Sequence, residues 1–119
     1  MKSRYALFAA TVLLVAGSAT ASQAPSATAV VDADGTLNRG LNALSATHLA
    51  TGQYEVAFNS NVSECGYTAA VGLSGNAGSS AFGTVNVAKR GGNKKAIFVQ
   101  TFDVGGNLAD LGFHAIVQC

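Results

Sequence analysis

Four cations fall within seven residues of this chain: Lys89, Arg90, Lys94 and Lys95 in KRGGNKK. Held around glycines at a hairpin tip, such side chains can converge on the phosphates, sulfates or carboxylates of an anionic polymer. The plainer reading is a solvated hairpin end whose charge keeps a sheet edge soluble. These four residues form the candidate ligand-binding set, and the partner they suit is an anionic polysaccharide or cell-envelope polymer. The second chemistry-bearing pair is Cys65 and Cys119. In an exported chain two cysteines most simply form one disulfide, with an intermolecular bridge or free thiols as the alternatives. Loop closure of this size is worth about 4 kcal/mol of stability.

Other residue types could act but lack a pattern. The two histidines, His48 and His114, are the available bases, and Ser45 or Ser63 the hydroxyls to set beside them. No G-x-S-x-G elbow is present, and cysteines joined in a disulfide cannot serve as thiolates. Glu55 and Glu64 could be spaced as a glycosidase pair, but nothing else in the sequence supports that. Asp32-Ala33-Asp34-Gly35 resembles the first half of a calcium loop, yet the twelfth position, which needs a bidentate Glu, is Ala43. Asp103 and Asp110 flank another turn. Tyr54, Tyr67 and Phe82 could stack on a sugar, but alternation sends both tyrosines to a core, and the chain has no Trp. Asn61-Val62-Ser63 fits a glycosylation sequon, which matters only in a eukaryotic secretory pathway. The expectation is no catalytic residue, no metal and no cofactor.

The elements that must position these residues begin after a leader. Lys2 and Arg4 precede the apolar run Tyr5 to Ala16, and Ala19-Thr20-Ala21 is an A-x-A cleavage signal. That run is shorter than the roughly 18 to 20 residues of a membrane span, so stable membrane insertion is not expected. Cleavage after Ala21 leaves 98 of the 119 residues, enough for one modest domain. Lys2 and Arg4 leave while all six acids stay, so the net charge falls from +1 to −1. A nucleic-acid binder would be strongly basic, and this chain is not.

Residues 22–27 read as a lead-in broken by Pro25, and residues 28–119 as one β-domain. Strands are expected at Thr28–Asp32, Leu44–Ala50, Gln53–Phe58, Cys65–Leu73, Thr84–Ala88, Ala96–Phe102 and Phe113–Cys119. The clearest is QYEVAF, with Tyr54, Val56 and Phe58 on one face. Thr36 to Ala43 has no clean period and reads as a connection, while Lys89 to Lys95 is a hairpin tip. Ala96 to Phe102 is apolar on both faces, which suits a central strand. The spacing predicts an all-β fold, an antiparallel sandwich or small barrel of six or seven strands.

VVDADGTLNRG, THLATGQYEVAFNSNVSECGYTAAVG and IFVQTFDVGGNLADLGFHAIVQC resemble a group of small exported two-cysteine β-domain proteins of actinobacteria. The similarity spans nearly all of the expected mature chain. It implies a signal peptide, a β-fold and pairing of Cys65 with Cys119, and no established activity. Similar chains more often carry Pro or Ser where this one has the tip lysines. The expected function is a secreted, non-enzymatic binding or structural module of the cell surface or medium. The alternatives are a self-associating, fibre-like structural module and a small secreted hydrolase or inhibitor.

Overall fold

The computed structural model describes residues 26–76 and 82–119. The expected leader (residues 1–21), residues 22–25 of the lead-in and residues 77–81 lie outside the described residues. The chain forms β1 (Ser26–Val31), β2 (Leu37–Leu41), β3 (Ala43–Ala50), β4 (Gln53–Phe58), β5 (Gly66–Val71), β6 (Thr84–Lys89), β7 (Ala96–Phe102) and β8 (Phe113–Gln118). One sheet has the order β2-β1-β8-β5 and the other β3-β4-β7-β6, with every neighbouring pair antiparallel.

The all-β, antiparallel expectation holds, but there are eight strands and not six or seven. The additional one is β2, read from sequence as a connection. Four of its five residues are exposed, so no inward face imposes a hydrophobic period on the sequence. Backbone pairing to β1 makes it a strand, with Thr28 opposite Leu41 and Val30 opposite Arg39. β1 also starts two residues before the expected Thr28, because Ala27 is buried and pairs with Val117.

β2 and β3 are separated only by Asn42, whose φ of 61° turns the chain from one sheet into the other. Asn tolerates this left-handed conformation better than most side chains. Its amide donates to Ser26 O at 2.9 Å, and its carbonyl accepts from Asn59 N at 3.0 Å, which fixes the corner. On the opposite side β5 and β6 pack against each other. The sheets therefore meet at both flanks around one core.

That core divides its volume unequally. An inner row of the first sheet runs Gly40, Ala29, Ala115, Ala69 across four strands. The second sheet supplies bulk: Tyr54, Val56 and Phe58 from β4, and Ile97 and Val99 from β7. Small residues on one sheet leave room for large ones on the other, which is how close packing is reached without voids. The Tyr54 and Phe113 rings meet edge-on, 5.2 Å between centroids. The pattern found in QYEVAF is realised, with Tyr54, Val56 and Phe58 all buried.

The Cys65–Cys119 disulfide spans 54 residues and fastens the end of β8 to the start of β5. Two stability results follow from this packing. Ala115→Leu overpacks the alanine row and should cost about 1–3 kcal/mol in urea unfolding, whereas outward Ile116→Thr should stay within about 0.5 kcal/mol. Replacing both cysteines by Ser should cost about 2–5 kcal/mol; an unchanged midpoint would mean the bond restrains nothing in the unfolded chain.

Candidate functional site

The basic tip closes the β6–β7 hairpin. The ladder ends with Lys89 opposite Ile97. Beyond it Asn93 N donates to Arg90 O, Ala96 N donates to Asn93 O, and Lys95 N donates to the Asn93 side chain at 3.0 Å. Gly92 sits at φ 84°, a conformation this tight turn takes at little steric cost only with glycine.

A second wall comes from the β4–β5 loop. Val62 is the one apolar residue in the polar run Asn59 to Glu64, and it is 2% exposed. Its N–H donates to Lys94 O at 2.9 Å, and Phe58 N donates to Lys95 O at 2.8 Å. The Val62 carbonyl accepts from Tyr67 Oη at 2.6 Å and from Cys65 N at 3.1 Å. Asn61 Oδ1 accepts from both the amide and the hydroxyl of Ser63, which curls the loop. Between this loop and the tip lies a cleft of about 400 Å³, lined among others by Ser63, Glu64, Lys89, Arg90, Asn93 and Lys94.

The four cations differ in what holds them. Arg90 Nε donates to Glu55 Oε2 at 2.9 Å, and its guanidinium lies 5.9 Å from the centre of the Phe98 ring. Lys89 Nζ reaches Glu64 Oε2 at 3.3 Å on the exposed rim. Lys94 and Lys95 have no acidic partner among the described residues. Glu55 and Glu64, considered from sequence as an acid–base pair, thus serve as counter-charges to the tip. Four cations against two acids leave this end positive.

The opposite end gathers the remaining ionisable chemistry. Asp110 Oδ1 accepts from Gly52 N at 2.6 Å and lies 2.9 Å from His48 Nε2. The Tyr54 hydroxyl is 3.4 Å from the same oxygen and donates to Ala33 O at 2.6 Å. The neighbouring Thr101 hydroxyl donates to Ala109 O. His48 thus has an acidic partner 62 residues away, which no spacing in the sequence signals. Both hydroxyls of the cluster are committed to carbonyls, so the pair works as a clasp between the β3–β4 turn and the β7–β8 connection. His114 is placed elsewhere, with Nε2 2.8 Å from Leu73 O and its ring over Gly72.

The acidic turns are held by their own backbone. Asp34 Oδ1 accepts from Thr36 N, and Asp103 Oδ1 accepts from the amides of Gly105 and Asn107. Among the described residues no three His, Cys, Asp or Glu side chains converge on one point. Tyr54, Tyr67 and Phe82 do not make one stacking surface. Tyr54 is fully buried, Tyr67 is half-buried with its hydroxyl on Val62, and Phe82 is 76% exposed.

Compared with protein-family models, with curated proteins and with solved structures, the chain matches none.

The clasp carries a pH dependence of stability. The Gly52 amide, and then His48, hold the Asp110 carboxyl below its usual range. A carboxyl whose pKa is lower folded than unfolded stabilises above about pH 4, and this is lost as pH falls through the folded value. Burial, and then the Asp110 charge, push the Tyr54 phenol up to about 12. Its contribution is full below about pH 10 and is lost as pH rises towards 12. Asp110→Asn should flatten the acid limb and bring the Tyr54 titration, followed by phenolate absorbance, down from about 12. Wild-type Tyr54 titrating with the exposed phenols would contradict the buried placement.

Proposed function

We propose that this chain is an exported, non-enzymatic binding module whose cationic cleft holds an anionic polymer of a cell surface. The observation that carries the reading is the division of labour among the tip cations. Glu55 and Phe98 fix Arg90, and Glu64 draws Lys89 to the rim, while Lys94 and Lys95 have no acidic partner beside the same cleft. A cleft of about 400 Å³ is within the size range of ligand sites. Its walls are tied by main-chain hydrogen bonds and so stand preorganised, which lowers the ordering cost of binding.

Export is part of the proposal. The disulfide suits an oxidising compartment, and the leader at residues 1–21 supplies the route. Among the described residues no helix is long and apolar enough to cross a membrane. Membership of the exported actinobacterial group belongs to the same proposal and rests on the motifs quoted for it.

The test is capture on immobilised polyanions, heparin and polyphosphate, with a neutral glycan as control. Binding should fall steadily as salt rises, because exposed charges are screened over about 10 Å at 0.1 M. Lys94→Ser with Lys95→Ser should weaken binding about tenfold, roughly 1.4 kcal/mol, without moving the unfolding midpoint. Equal affinity for the neutral glycan, or binding indifferent to salt, would sink the reading.

A further inference from the structure

The two ends of the β6–β7 ladder are complementary. One end is the cleft with its cationic rim. At the other, the ladder finishes with Thr84 opposite Phe102. Phe82, two residues before Thr84, and Val104, two residues after Phe102, are the most exposed large apolar side chains described, at 76% and 82%. Isolated exposed apolar residues are ordinary, but two such side chains leaving one ladder end form a knob. The same end carries Asp32, Asp34, Asp103 and Asp110, four of the six acids of the chain. Of the five cations remaining after Lys2 and Arg4, four stand at the cleft end, and only Arg39 lies elsewhere.

We propose that a second copy of this chain enters the cleft by its Phe82 and Val104 knob, so that domains stack head to tail. The inference rests on the reading of the cleft as a binding site and names a further occupant for it. The acids around the knob meet the lysines around the cleft. The knob loses its apolar exposure between the tip and the 59–64 loop. Such a contact is heterologous: each copy offers one knob and one cleft, so growth continues unless the rotation closes a ring. An end-to-end contact of this kind is small and therefore weak, favoured by high protein concentration and low salt. Stacking and polymer binding compete for the same cleft, so a soluble polyanion disassembles the stacks.

The test is sedimentation and light scattering of purified, oxidised protein across a concentration series at about 0.05 M and about 0.5 M salt. Average mass should climb with concentration at low salt and return to the monomer at high salt or on adding heparin. Phe82→Ser with Val104→Ser removes the knob and keeps the cleft. Lys94→Glu with Lys95→Glu reverses the cleft rim and keeps the knob. Each variant alone should associate at least about tenfold more weakly. Mixed one to one, they should form a heterodimer and nothing larger, because only one productive contact remains.

A wild type monomeric throughout, knob-free variants that still assemble, or a mixture that stays monomeric would each overturn the stacking. The knob-free variant should still be captured on immobilised heparin with wild-type salt dependence. That result separates the two ideas: loss of stacking with heparin capture intact rejects only the second copy, and stacking without heparin capture rejects only the polymer.

Discussion

Val62 is fixed by the requirement that a buried backbone satisfy its hydrogen bonds. The side chain is drawn into the core as the only apolar residue of its loop. Once there, its N–H and carbonyl lose water and must find protein partners, since an orphaned group costs about 1–3 kcal/mol. The N–H finds Lys94 O, and the carbonyl finds Tyr67 Oη and Cys65 N. Those bonds set the loop against the hairpin tip, and the cleft is the space left between them. The disulfide lies three residues further on and anchors the loop's far end to β8.

The two ends of the domain use charge differently. At the cleft, Glu55 and Glu64 are spent on Arg90 and Lys89, which leaves Lys94 and Lys95 as the net field. At the far end, Asp110 gathers Gly52 N and His48 around one oxygen, with the Tyr54 hydroxyl close by. A His–Asp pair in a small domain invites a catalytic reading. Here the nearby hydroxyls of Tyr54 and Thr101 already donate to Ala33 O and Ala109 O. The pair holds a turn to a connection, and its energetic signature is a pH-dependent stability.

Much of the fold was legible from residue pattern. β4 and β7 were placed with their observed limits, because one buried face or two leaves a period-2 or wholly apolar run. β2 was not legible, since an exposed edge strand needs only backbone pairing and leaves side chains free to vary. Of the site, the basic tip could be read directly. The wall opposite it could have been suspected from Val62, a single apolar residue amid polar ones. The counter-charges Glu55 and Glu64 could not, because they are 35 and 25 residues from the cations they meet.

By itself the sequence determined the β class, the two cysteines that can bridge, the leader motif and the concentration of cations at one hairpin. Each is a local property, written in alternation, composition or spacing over a few residues. Tertiary structure alone decided that Asn42 turns one sheet into the other, that Val62 and the tip enclose a cleft, and that His48 meets Asp110. It also decided that Phe82 and Val104 leave the opposite end of the ladder from the lysines. These relations depend on how two sheets pack around unequal shares of the core, a balance of volumes that no stretch of chain records alone.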